Sequence, residues 1–317
     1  MFTYIDLFAG IGGFRQAADA LGGKCLFASE IDEAAKKAYA ANYGLMPQGD
    51  ITKIDAADIP EHDVLFAGFP CQPFSIIGKG RGFDDTRGTL FFEIARVLDA
   101  KRPRLFVLEN VKQLKGHNKG ETFARILERL DGLGYKVSWK VLNALDFGLP
   151  QKRERMIIAG FRDHAVKFEF PKGPGPGKLE DVLERDADVD PKFFASERIR
   201  KKRLESHESA YYPAVWHENK NGHISSYPYS CALRAGASYN YLLVNGVRRL
   251  TPREMLRLQG FPDSFRIVCT DTQTRKQAGN AVPVNVIRAV LREALRAQSD
   301  AEKLRGGRGA ENAGGKN

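Results

Sequence analysis

Short apolar runs and longer amphipathic ones alternate along the first 160 residues of the chain. TYIDLF (3–8), KCLFAS (24–29), DVLFAG (63–68) and RLFVLEN (104–110) are brief and rich in apolar and aromatic side chains, and each predicts a buried strand. Between them FRQAADAL (14–21), EAAKKAYAANY (33–43) and LFFEIARVLDA (90–100) space their apolar positions as helices do. A further helix, GETFARILERLDGLG (120–134), and a strand pair, YKVSWKVLNA (135–144) and RMIIAGF (155–161), complete the region. Strands separated by helices predict an α/β domain with a mostly parallel sheet covered on both faces.

The pattern changes near Phe168. FPKGPGPGK (170–178) is a proline–glycine linker, and the chain as far as Val247 is rich in Tyr, Ser, His, Asn and basic residues. No helix–strand rhythm is expected there. Regular structure resumes at RRLTPREMLRLQGFP (248–262), where Thr251, Pro252 and Glu254 form a helix start with a capping box. VPVNVIRAVLREALRA (282–297) predicts a closing helix, and the tail beyond Ala297 reads as disordered. The layout is a sheet domain over 1–166, an insert over 167–248, a hinge and return over 249–297 and a tail over 298–317. No internal repeat is found.

Composition sharpens this picture in four ways. Apolar residues make up 43% of 317, enough for a packed core. No run approaches the length of a membrane span and the start MFTYIDLFAG reads as a strand rather than a signal peptide, so a soluble, cytoplasmic protein is expected. The four cysteines, Cys25, Cys71, Cys231 and Cys269, form no CxxC pair, so neither a zinc site nor a disulfide framework is expected. Lysine and arginine number 49 against 39 acidic residues, a net charge of +10 that suits a polyanionic partner.

Two constellations carry chemistry. DLFAGIGGFR (6–15) joins a strand to a helix through Gly10, Gly12 and Gly13, where a ligand can approach bare backbone and meet the unpaired N–H groups of a helix start. Glu30 closes the second strand twenty residues after Gly10, the place for a carboxylate that accepts from ribose hydroxyls. The glycines fall short of G-x-G-x-x-G, so an adenosine ligand without a pyrophosphate fits better than a nicotinamide dinucleotide. Asp50, in QGDI, is placed to hold an adenine amino group. The second constellation begins at GFPCQPFSIIGKGRGFDDTRG (68–88), where Cys71 stands between Pro70 and Pro73 at the carboxyl end of a strand. RLFVLEN brings Glu109 and Asn110 to the same edge, and QKRER (151–155) supplies a positive field that raises the thiolate fraction of a cysteine. A thiol nucleophile facing a carboxyl acid suits an electron-poor ring that is attacked at one atom and protonated at another.

DLFAGIGGFR, GFPCQPFS, ENVK, QKRER and RLTPREMLRLQGFP…QAGNAVP occur here in the order found in bacterial DNA (cytosine-5)-methyltransferases, and the chain resembles a short, single-chain, type II member of that family from Tyr4 to about Ala297. The resemblance implies the Rossmann-like fold of S-adenosylmethionine-dependent methyltransferases, with a smaller irregular, β-rich target-recognition domain in the insert. It implies that Cys71 attacks C6 of a cytosine, that Glu109 holds and protonates N3, that Arg155 binds O2 and that Arg153 binds the nearby phosphate. It also implies S-adenosylmethionine as methyl donor, held at Phe8, Gly10, Gly12, Glu30, Asp50, Pro70 and Asn280, with Gly13, Ile31 and Ile51 beside it, and no metal.

The target base must leave the duplex before its C6 can be reached. The glycine-rich run after Cys71 reads as a lid over it, with Ser75, Lys79, Arg81 and Arg87 as DNA contacts. Within the insert, RIRKKR (198–203) is a candidate for phosphates and SCALRAGASYNYLLVNG (230–246) for the groove. Double-stranded DNA is the expected partner, the protein a DNA-associated monomer paired functionally with a restriction endonuclease. The alternative is an RNA-directed (tRNA) cytosine-5 methyltransferase of the same family.

Overall fold

A computed structural model describes residues 1–69 and 90–313, with side chains through Arg305. In chain order the first part contains β1 (Phe2–Leu7), α1 (Gly13–Asp19), β2 (Gly23–Ser29), α2 (Glu33–Tyr43), β3 (Val64–Gly68), α3 (Leu90–Lys101), β4 (Leu105–Val111), α4 (Glu121–Gly132), β5 (Lys136–Asn143), β6 (Gln151–Lys152) and β7 (Glu154–Phe161). The second contains α5 (Glu197–Ser206), β8 (Val215–Glu218), β9 (Ile224–Tyr227), β10 (Ser230–Cys231), β11 (Leu242–Val244), α6 (Pro252–Leu258), α7 (Asp271–Asn280) and α8 (Val284–Ala313).

Six strands form one sheet in the order β2-β1-β3-β4-β7-β5. The first four run parallel, and β7 lies antiparallel between β4 and β5. Strand alternation divides the apolar side chains between two cores. Tyr4, Val64, Phe66, Leu105 and Val107 face α1, α2 and α8, while Ile5, Leu65, Phe106 and Leu108 face α3 and α4. Strands buried on both faces cannot alternate apolar with polar, which is why they read as continuous apolar runs. The sequence expectation of an α/β, mostly parallel sheet is borne out.

The β-rich character expected of the insert is present, since β11, β8 and β9 form a three-stranded antiparallel sheet, but α5, which precedes it, was not expected. The α5 sequence ERIRKKRLES has no apolar stripe to betray it. Its anchor is Arg203, buried against Glu218 and the Asn240 carbonyl. Arg203 is therefore not the surface phosphate ligand expected of RIRKKR. The chain beyond Ala297 is also not irregular: α8 continues through Ala313, with Ala297, Gln298 and Ala301 buried and an Arg104–Glu302 ion pair at 3.4 Å.

The return is tied to the insert through a buried ion pair. Arg248 and Glu254 are both fully buried, and Arg248 donates to both Glu254 oxygens, at 2.9 and 3.0 Å. Glu254 also accepts from the Thr251 and Glu184 N–H groups, so the expected capping box at the start of α6 doubles as a counterion site. Among the described residues no helix is long and apolar enough to cross a membrane.

Candidate active site

The carboxyl ends of the parallel strands open into a cavity of about 460 Å³. Parallel strands place their carboxyl ends on one edge, and the turns that leave them supply its walls. Phe8, Gly10, Glu30, Ile31, Asp50 and Ile51 line one part of it, Asn280 the far wall, and Glu109, Arg153 and Arg155 the floor beyond. The structure thus brings together residues that the sequence reading assigned to two sites.

At the first of these, Phe8 and Gly10 both have positive φ, 56° and 54°, the left-handed turn that lifts the chain out of β1. The Gly10 N–H donates to Glu30 Oε2 at 2.8 Å, and Glu30 Oε1 accepts from the Ile31 and Asp32 N–H groups. Three backbone donors hold one carboxylate at the cavity wall. A Cβ at Gly10 would meet no atom within 4 Å, so the glycine faces open space. Ile31 is 69% exposed, an apolar side chain presented at the rim. Asp50 caps a short helical turn, accepting from Thr52 N at 3.0 Å and Thr52 Oγ1 at 2.8 Å, and these bonds hold its pKa below the ordinary value. Gly12 and Gly13 serve otherwise than expected. A Cβ on Gly12 would come 2.4 Å from the Tyr43 ring, and one on Gly13 2.6 Å from Val282, so these two let α1 pack closely and do not line the cavity.

On the floor, Glu109 near the end of β4 meets Arg155 from β7, Oε1 to Nε at 2.7 Å. Register explains the pair. Arg155 lies opposite Val111 and Glu109 opposite Ile157, so the two are diagonal neighbours that long side chains can bridge. Burial pushes the Glu109 carboxyl above its ordinary pKa, an effect opposed by the charges of Arg155 and Arg153. Gly68 stands in register with Glu109, and a Cβ there would lie 3.7 Å from Glu109 Oε2. Asn110, 1% exposed, donates from Nδ2 to the Phe69 carbonyl at 2.9 Å and so pins the end of β3 to β4. Pro70, Cys71, Ser75, Lys79, Arg81 and Arg87, and with them the expected lid, lie outside the described residues.

Arg153 is the clearest correction. It is 1% exposed and donates from Nη1 to the Leu233 carbonyl at 3.0 Å and from Nη2 to those of Gly279 and Ala281 at 3.0 and 2.8 Å. With both Nη atoms held by carbonyls, only the buried Nε is left without a partner, which is not the exposed fork a phosphate ligand presents. Burial, reinforced by the neighbouring Arg155 charge, lowers its pKa to about 9, so it stays cationic at neutral pH. Its task is to bind the insert and the end of α7 to the strand that carries Arg155.

Several contributors escaped the sequence reading. Gln151, fully buried, donates to the Leu258 carbonyl at 2.8 Å and accepts from the Leu233 N–H at 3.0 Å. Helix α7 carries Asn280 and Lys276, the latter paired with Asp32 at 2.7 Å. A signal for α7 was present in TDTQ, since Thr270 and Gln273 form a second capping box.

The family profile described as C-5 cytosine-specific DNA methylase matches residues 2–296. The chain is 57% identical to the type II methyltransferase M.NgoBI of Neisseria gonorrhoeae, over 91% of this chain and 92% of that one. It is 38% identical to the type II methyltransferase M.HhaI of Haemophilus parahaemolyticus, over 90% and 92%. Among solved structures, a DNMT2 mutant of Spodoptera frugiperda superposes with a TM-score of 0.72 at 20% identity, over 93% of this chain and 100% of that one. A putative prophage-encoded DNA modification methyltransferase of E. coli gives 0.70 at 22%, over 94% and 100%. With the profile spanning nearly the whole chain, the protein belongs to the C-5 cytosine-specific DNA methylases and is a DNA cytosine-5 methyltransferase.

Proposed function

We propose that the chain methylates C5 of a cytosine flipped out of a specific duplex site, through a transient Cys71–C6 bond, as the modification half of a type II restriction system. The observation that carries this reading is the buried Glu109–Arg155 pair on the floor of a cavity whose wall holds the Glu30 and Asp50 carboxylates. The residues present fit S-adenosylmethionine. Glu30 offers acceptors to ribose hydroxyls, Asp50 to an adenine amino group, Phe8 and Ile31 apolar surface, and Gly10 an unobstructed backbone, and Asn280 closes the far side; Pro70, outside the described residues, is assigned to the set by the resemblance alone. When bound, S-adenosylmethionine supplies the methyl group.

The chain's own residues do the rest. Stacking shields C6 inside a duplex, so the cytosine is extruded at a cost of a few kcal/mol. Arg155 donates to the cytosine O2 and Glu109 to N3. A carboxyl with a raised pKa more readily carries the proton needed there. The Cys71 thiolate forms a bond to C6, the C5–C6 π pair shifts toward N3, and the Glu109 proton is taken up at N3. Carbon 5 is then nucleophilic and gains the methyl. A base removes the C5 proton, the pair of that bond restores C5=C6, the C6–S bond breaks with its electron pair leaving on Cys71 as thiolate, and the N3 proton returns to Glu109. DNA is favoured over RNA as substrate because the matched profile is that of DNA methylases.

Bisulfite sequencing of a plasmid propagated with the gene tests the reading. Conversion-resistant cytosines in one sequence context are expected with the native chain and none with Cys71→Ser. Methylation at N4 or N6 instead, or undiminished activity in Cys71→Ser, overturns it.

A further inference from the structure

The segment from Ser230 to Gly246 crosses from the insert to the active site, and its placement is fixed from both sides at one residue. The Leu233 N–H donates to Gln151 Oε1 and the Leu233 carbonyl accepts from Arg153, both at 3.0 Å. Just upstream, β10 pairs with β6, and Ser230 N donates to the Pro150 carbonyl at 2.8 Å. Leu233 is thus clamped by residues 151 and 153, just ahead of the strand β7 that delivers Arg155, and the next residue is Arg234.

Arg234 is exposed, yet its conformation is held. Its N–H donates to Tyr241 Oη at 3.0 Å, and its guanidinium lies over the Tyr241 ring, 4.8 Å from the centroid. Tyr241 is itself buried, so the ring is a fixed platform. Other arginines around this segment are spent on the fold. Arg275 donates to the Ala237 and Ser238 carbonyls, Arg249 to those of Lys192 and Phe193, and Arg203 to Glu218. Arg234 differs: among the described residues its guanidinium has no hydrogen-bond acceptor and no ion-pair partner. His217 faces the same group, and its pKa is lowered by burial and by the charges of Arg234 and Arg203, so it adds no competing cation.

We propose that Arg234 is a specificity-determining residue that reads a guanine base edge in the DNA recognition sequence; this rests on the DNA-methylation reading above. A guanidinium presents two parallel donors in one plane, matching guanine O6 and N7 in the major groove. Stacking on Tyr241 fixes that plane while leaving the donor edge free. The clamp at Leu233 fixes its distance from the base-flipping site. A phosphate contact needs only a positive charge nearby and would gain nothing from either constraint.

The test compares the full-length protein with Arg234→Lys and Arg234→Met on a duplex pool randomised around a central cytosine, read by bisulfite sequencing. The native enzyme is expected to require a guanine at a position where both variants accept other bases. Discrimination there falls roughly 5- to 150-fold, with preference at other positions kept. Thermal midpoints and binding of S-adenosylhomocysteine, measured in parallel, are expected to match the native protein. Unchanged preference at every position in both variants overturns the proposal. So does a uniform loss of affinity rescued by lysine with a salt slope reduced by about one in methionine, the mark of a phosphate contact. A native enzyme that leaves C5 unmethylated sinks the underlying reading instead, and this proposal with it.

Discussion

Replacing Arg153 by lysine keeps the charge and removes the fork, and so separates the two roles this residue could have. The native guanidinium makes three hydrogen bonds to buried carbonyls. Each such bond from a charged donor is worth about 1.5–3 kcal/mol. A lysine can keep one and leaves two carbonyls unpaired, a gross loss of about 3–6 kcal/mol. Some is returned because a buried guanidinium no longer has to be desolvated, which places the net near 3 kcal/mol, roughly. For a chain of this size about 2 °C per kcal/mol applies, so thermal unfolding should begin roughly 6 °C lower. Calorimetric melting of the apo protein, beside DNA-binding titrations at several salt concentrations, reads both properties. A phosphate ligand would behave in the opposite way: Arg153→Lys would melt as the native protein does, and Arg153→Ala would lower the salt slope of DNA binding by about 0.9. That outcome would refute the structural role.

Other expectations follow from the same geometry. Glu109→Gln should lose about 10²–10⁴-fold in kcat, since the proton delivered to N3 is gone. Its stability relative to the native chain should rise with pH. A carboxyl with its folded pKa raised above the ordinary 4.5 contributes stability that is present below pH 4.5 and lost as pH climbs through the raised value. Melting curves from pH 4 to 8 show this, and a difference independent of pH contradicts it. Glu254→Ala, which takes from the fully buried Arg248 its buried carboxylate and leaves only the half-exposed Asp186 beside it, should cost about 3 kcal/mol in urea unfolding; a loss below about 1 kcal/mol contradicts the buried-pair assignment. Gly10→Ala and Gly12→Ala should part company. The first projects a methyl into the cavity and should weaken S-adenosylhomocysteine binding in calorimetry at least tenfold, with a stability cost of about 1–2 kcal/mol. The second meets the Tyr43 ring and should lower the melting temperature further while the cavity lining stays intact.

What the chain disclosed about itself follows from how local each signal is. Strands buried on both faces announce themselves as apolar runs, and Thr251 with Glu254 wrote a capping box into four residues. The Glu109–Arg155 meeting was foreseeable because both sit at the ends of readable strands that pair as neighbours. Helix α5 was not, because one buried arginine rather than an apolar stripe holds it. Arg153 was misread for a related reason. In QKRER two arginines stand two apart, alike in composition and charge, and nothing local says which will be held by backbone carbonyls. The partners that decide it are backbone carbonyls, which every residue owns, lying 80, 126 and 128 positions away. A side chain that binds carboxylates or apolar groups can leave a trace in its partners' identity, whereas one that binds carbonyls leaves none. Basic residues satisfied by carbonyls are thus the ones a sequence reading most readily mistakes for nucleic-acid ligands. By the same reasoning, an arginine of the insert whose donors find no carbonyl among the described residues, Arg234, is the stronger candidate for a base outside the protein.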